Sequence, residues 1–161
     1  MESYIKVGIA DLNIAYFPDK IMTIGLGSCI GIAIYDYEKK IVGLAHIMLA
    51  NSKQFKEVTN PYKFADLAIP ILVDKLIKIG CNKRRLKAKI AGGASMFNFS
   101  DKSIINDIGK RNGEAVIESL KALNIPIVAS DLGGVKGRTM TVDTSDGKVT
   151  LKIIGQGIKE L

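Results

Sequence analysis

Apolar residues recur at every second position in several short stretches of the chain. Tyr4, Ile5, Val7 and Ile9 predict a first strand, and residues 12–17 are short and mixed. Pro18-Asp19 is a turn signal. Residues 20–26 predict a strand that ends in glycines. Cys29 to Tyr35 carries Ile30, Ile32 and Ile34 at period two, which predicts another strand. After a charged turn, Asp36 to Lys40, comes a third apolar segment of strand length, Ile41 to Leu49. Short connections predict that these last three segments lie side by side as antiparallel neighbours.

The period then changes. Ala50 to Asn60 is polar and reads as a surface loop. Asn60-Pro61 reads as a helix start, an N-cap residue followed by proline at the first helical position. Phe64, Leu67, Ala68, Ile71, Leu72, Leu76 and Ile79 follow at helical spacing, and Gly80 is a stop. Pro70 inside this pattern predicts a kink in one helix. Leu86 to Ile90 predicts a strand that runs into the glycine loop Ala91-Gly92-Gly93-Ala94-Ser95-Met96-Phe97. A second amphipathic helix is predicted over residues 107–123, and a strand over Pro126 to Ser130. The pair Thr139 to Thr144 and Val149 to Ile154, joined through Ser145-Asp146-Gly147, reads as a hairpin. The class is mixed α and β with more strand than helix.

Composition narrows the setting. The chain has 161 residues, 47% of them hydrophobic and 24% charged, which suits one globular domain over 1–161. No apolar run reaches the ~20 residues of a membrane span. The first residues lack the basic and apolar regions of a signal peptide, so the expected location is the cytoplasm, without direct membrane insertion. Two cysteines and one histidine, without Cys-x-x-Cys spacing, argue against a metal site. The net charge of +7 favours acidic partners. Nucleic acid is not expected, because Lys83-Arg84-Arg85 is short and carries no interleaved aromatic residues.

The candidate chemistry lies in Ile21-Met22-Thr23-Ile24-Gly25-Leu26-Gly27-Ser28-Cys29-Ile30-Gly31. A glycine-rich turn there delivers a cysteine, and seventeen residues later sits His46, the only histidine. The turn lacks the third glycine and the following helix of a dinucleotide fingerprint, and no Gly-Lys-Ser/Thr follows it. Its other use is to expose a nucleophile, with backbone N–H groups turned toward one point. Cys29 then needs a base, and His46 is the one imidazole available. A hairpin of 29–35 with 41–48 would bring both to one edge of the sheet. Two readings stand on spacing alone: a thiol–imidazole pair, or a core cysteine and a satisfied histidine. Cys81, just past a helix, reads as structural. Gly92-Gly93 and Gly133-Gly134 read as tight turns.

These residues resemble the CheD family of chemoreceptor glutamine deamidases. The resemblance rests on Thr23-Ile24-Gly25-Leu26-Gly27-Ser28-Cys29, Ala45-His46-Ile47-Met48-Leu49, Lys89-Ile90-Ala91-Gly92-Gly93-Ala94-Ser95-Met96-Phe97 and Gly109-Lys110-Arg111-Asn112, in that order. It implies catalytic roles for Cys29, His46 and Thr23, with Thr23 orienting the imidazole. Backbone N–H groups around Gly27 and Ser28 become candidates for the oxyanion site, and Met96 and Phe97 for the binding rim. It further implies an α+β fold, a sandwich of two mixed β-sheets flanked by helices in αββ layers, similar to the catalytic domain of the cytotoxic necrotizing factor toxins. The implied reaction turns receptor glutamine into glutamate through a thioester, without cofactor, with methylesterase action as a side activity. The implied partners are methyl-accepting chemoreceptors and CheC, the phosphatase of phosphorylated CheY. A mainly regulatory role as a CheC partner is the alternative.

Overall fold

The computed structural model describes residues 3–95 and 108–161. Among these residues the chain forms, in order, β1 (Tyr4–Val7), β2 (Asp11–Tyr16), β3 (Lys20–Leu26), β4 (Ile30–Asp36), β5 (Ile41–Ile47), α1 (Ala65–Lys78), β6 (Lys87–Gly92), α2 (Ile108–Ala122), β7 (Ile127–Leu132), β8 (Arg138–Asp143), β9 (Val149–Ile153) and β10 (Gly157–Glu160). The strands build two five-stranded sheets, ordered β1-β3-β8-β9-β10 and β2-β5-β4-β6-β7. Both are mixed: β1 runs parallel to β3 and β6 runs parallel to β7, while the other pairs are antiparallel. No described helix is long and apolar enough to cross a membrane.

Side-chain alternation in the second sheet sorts the core into two layers. Ile30, Ile32 and Ile34 of β4, with Ile41, Ala45 and Ile47 of β5, pack with Ala68, Ile69, Leu72 and Leu76 of α1 and with Val116 and Leu120 of α2. The alternate residues, Ala33, Val42 and Leu44, pack with Ile21, Met140, Val142 and Leu151 of the first sheet. The layer order is therefore helices, second sheet, first sheet. Because both faces of β4 and β5 are covered, every residue of β5 is buried. A side chain facing the first sheet from β4 or β5 is thus enclosed between two sheets.

Several expectations change. β4 and β5 are antiparallel neighbours, with Gly31 opposite His46. β3 belongs to the other sheet, however, so residues 20–26 do not pair with 29–35. Gly27-Ser28-Cys29 carries the chain across from one sheet to the other, which a short connection permits as readily as it permits a hairpin. The expected sheet edge is also wrong: β4 is the central strand and β5 lies beside it, so the site sits at the ends of interior strands. Asn60 caps a single 3-10 turn, Pro61–Lys63, and α1 begins only at Ala65. The single helix expected around Pro70 holds, since Pro70 lies within α1. β10, whose residues are all exposed, carried too little apolar signal to be expected.

Candidate active site

Three separate elements supply the three candidate side chains. Thr23 comes from β3 in the first sheet, His46 from β5 in the second, and Cys29 from the turn between the sheets. Thr23 and His46 are both 0% exposed. Thr23 Oγ1 lies 2.6 Å from His46 Nδ1, so this hydrogen bond spans the gap between the sheets. Thr23 Oγ1 also donates to the Val7 carbonyl of β1 at 2.8 Å. A hydroxyl has one proton and a carbonyl can only accept. With that proton on Val7, Oγ1 must accept from the ring, which places the imidazole proton on Nδ1. Nε2 is then left with its lone pair, and it is buried with no hydrogen-bond partner among the described residues. Burial pushes the His46 pKa down to about 4, so the ring is neutral at neutral pH.

Cys29 precedes β4 and is partly exposed, with its side chain packed against the inter-sheet core. The first β4–β5 pair is Ile30 with Ile47, followed by Gly31 with His46. Cys29 therefore stands one position before the ladder, diagonal to His46, on the same face of the sheet, and no hydrogen bond joins its thiol to Nε2 in this structure. Gly31, directly opposite His46, puts no side chain between them. Burial pushes the Cys29 thiol pKa up, and the residue's own N–H beside the sulfur partly offsets this. A neutral thiol and a neutral imidazole are the resting forms of the pair.

The turn around Cys29 is held by the carbonyls of its three residues. Gly27 O accepts from Ala94 N–H at 2.8 Å and Cys29 O from Gly93 N–H at 2.9 Å. Ser28 O accepts from Asn112 Nδ2 at 2.9 Å. The N–H groups of Ser28 and Cys29, in contrast, donate to no acceptor among the described residues outside Cys29 itself. The Gly27 N–H is taken by Gly25 O at 3.1 Å. Gly92, at φ +122, lies so close that any Cβ would run into the Cys29 carbonyl oxygen. Gly109 of α2 is equally confined, since a Cβ there would stand 2.6 Å from Ala94 O. The buried Arg138 braces the same loop through Gly92 O at 3.1 Å and Gly133 O at 2.6 Å. Gly92-Gly93 is thus a clamp on the cysteine turn, beyond the tight turn that the sequence suggested.

Sequence reasoning gave no role to two further parts of the site. Val7 acts through a main-chain carbonyl, which no side-chain pattern reveals. Asn112 is 1% exposed on the α2 face shared with Gly109, Gly113, Val116 and Leu120. A polar residue on a buried helical stripe was the available signal. Met96 and Phe97 lie outside the described residues. Cys81 is buried, and burial followed by the Asp36 charge pushes its pKa up to about 11, which suits a structural thiol. No cluster of metal-binding side chains occurs among the described residues.

A family model described as CheD chemotactic sensory transduction matches residues 48–153. A protein of Clostridium botulinum strain Hall, named "Probable chemoreceptor glutamine deamidase CheD", is 68% identical over 157 residues, 98% of this chain and 97% of the relative. Its counterpart in strain Eklund 17B is 67% identical over the same length. Among solved structures, a Bacillus licheniformis hypothetical protein YfiH is similar at a TM-score of 0.41 and 15% identity, over 72% of this chain and 47% of that one.

Proposed function

The chain belongs to the CheD family, and on that premise we propose that it is a cytoplasmic chemotaxis enzyme that deamidates glutamine side chains of chemoreceptors to glutamate, with Cys29 as nucleophile. The observation that carries this reading is the buried Nε2 of His46, without a partner among the described residues and held in the accepting tautomer by the Thr23–Val7 chain, on the face toward which Cys29 packs.

In the reaction, Cys29 Sγ attacks the side-chain amide carbon while His46 Nε2 takes the thiol proton. Transfer is coupled to attack because both groups rest neutral. The imidazolium that forms keeps its Nδ1–H on Thr23 Oγ1, whose own proton stays on Val7 O, so charge builds where a dipole chain is already aligned. The oxyanion develops beside the N–H groups of Ser28 and Cys29. Pinning the three carbonyls of the turn leaves those two donors for it, and of the two candidates Gly27 and Ser28 only the latter has an N–H with no acceptor among the described residues. Collapse expels ammonia with the proton from Nε2 and leaves a γ-glutamyl thioester. Water, deprotonated by His46, then cleaves the thioester to glutamate and restores the thiol. The net change is glutamine plus water to glutamate plus ammonia. The same steps on a methyl ester would release methanol. Each event adds a negative charge to the receptor.

The family resemblance further supports CheC as a partner that competes with receptor for the mouth of this site. Mass spectrometry of a receptor cytoplasmic fragment tests the reaction. Incubation should raise the mass of specific glutamine peptides by ~1 Da, the amide-to-acid change that this chemistry requires. An unchanged fragment would refute the reading. Excess CheC should slow that change, and an unchanged rate under saturating CheC would remove the shared surface.

A further inference from the structure

Asn112 joins two pieces of backbone that are far apart in sequence. Its Nδ2 donates at 2.9 Å to Ser28 O, the carbonyl just before the Cys29 residue, and at 2.9 Å to Met48 O, two residues beyond His46. Both partners are carbonyls, which only accept, so the amide nitrogen is the atom that faces them. The two positions belong to the ends of β4 and β5, beyond the first ladder pair, Ile30 with Ile47. Past that pair no ladder hydrogen bond holds the two chains together. Met48 N–H is turned the other way, to Lys63 O at 2.9 Å. The Asn112 amide thus closes the open end of the strand pair, at the level where Cys29 stands opposite Met48.

We propose that Asn112 is a positioning residue that sets the separation of Cys29 and His46, by tying the turn that bears the thiol to the strand end that bears the imidazole. The inference rests on the reading of Cys29 and His46 as a thiol–base pair. Its place on α2 suits the task. The helix is anchored beside the same loop by Gly109, which packs onto the carbonyls of Gly93 and Ala94. The amide is inside the core at 1% exposure, where water cannot replace a lost donor. Shortening the side chain leaves two part-buried carbonyls without this donor and lets the turn and the strand end separate. Drift of about 1 Å between reacting groups is enough to cost ~100-fold in rate.

A double-mutant cycle separates positioning from plain stability. In a Cys81→Ser background, alkylation of Cys29 by iodoacetamide at pH 7 is measured for the parent, Asn112→Ala, His46→Ala and the double variant, each checked for folding by near-UV circular dichroism. Asn112→Ala should slow alkylation about tenfold or more, in the range of lost orienting contacts. The double variant should be no slower than His46→Ala, because a base that is absent cannot be misplaced. On receptor fragment, Asn112→Ala should lower kcat by a similar factor and leave KM within about twofold. Asn112→Ser, which keeps one donor, should recover part of the alkylation rate, and it carries the cycle if the alanine variant does not fold. Parent-like alkylation, effects that multiply in the double variant, or failure of both replacements to fold would each overturn the proposal. A parent that alkylates with the expected coupling but leaves receptor glutamine unchanged would refute the deamidase reading alone.

Discussion

The two ends of β4 treat buried polar groups in opposite ways. At the far end Asp36 is 0% exposed, yet its carboxylate is fully engaged. Arg85 donates to both oxygens, at 2.9 and 3.0 Å, and the N–H groups of Asn82, Glu38 and Lys39 complete the set. Burial alone would raise the Asp36 pKa, but Arg85 and these amides outweigh it and bring it down to about 2. At the near end His46 is equally buried, and neither its Nε2 nor the Ser28 N–H has a partner among the described residues. Unsatisfied buried groups carry a cost that folds ordinarily avoid. The Asp36 end shows that this fold can satisfy a buried charge when the group only holds structure. On the proposed reading, the incomplete bonding at the Cys29 end leaves room for a reacting proton and a developing oxyanion.

The largest effect should come from the near end. Cys29→Ala should reduce receptor deamidation by ~10⁴-fold or more, as loss of a nucleophile does, with a melting temperature close to the parent's. Cys81→Ser should keep the activity, and iodoacetamide should label Cys29 well before Cys81. Preferential labelling of Cys81, or deamidation by Cys29→Ala, would break the contrast between the two cysteines.

The next effect belongs to the far end. Asp36→Ala leaves Arg85 and three amides without their partner, and should cost ~3–5 kcal/mol in urea unfolding. The deamidation rate per folded molecule should stay within about twofold. A large loss of kcat at unchanged folding would mean that the far end communicates with the site.

Acid separates the ends by their titration windows. The folded His46 pKa of about 4 is below the ordinary 6.5, so between these values the unfolded chain binds more protons. The stability contributed by the neutral ring is present above pH 6.5 and lost as pH falls to about 4, roughly 3 kcal/mol in all. Asp36 is likewise depressed, from 3.8 to about 2, and its contribution is present above pH 3.8 and lost as pH falls through 2, roughly 2 kcal/mol. Urea midpoints measured against pH should lose the upper slope in His46→Gln and the lower one in Asp36→Asn. The acid limb of kcat/KM should fall near pH 4. A limb near pH 6.5 would mean that water reaches the imidazole in the working enzyme.

The smallest effect tests the tautomer. Thr23→Val keeps shape and burial but removes the bridge between Nδ1 and Val7 O. Activity should drop about 10- to 100-fold, less than for His46→Ala. Unchanged activity would show that the ring holds its tautomer without Thr23.

Much of this was legible along the chain. Alternation of Ile30, Ile32 and Ile34 announced β4, and the run of Phe64, Leu67, Ala68, Ile71, Leu72 and Leu76 announced α1, because period alone decides which residues share a face. The lone imidazole and the thiol on a glycine turn were visible as candidates, since few other residue types can do that chemistry. Their setting was not visible. Residues 20–26 looked like a partner of 29–35, because a short connection between strands does not tell whether the chain turns back within a sheet or crosses to another. The Thr23–His46 bond exists only because it crossed. The Val7 carbonyl, the press of Gly92 on the cysteine turn and the Asn112 bridge are contacts between segments tens of residues apart. They depend on backbone atoms brought close by two packed sheets and a helix, and local pattern carries no record of that approach.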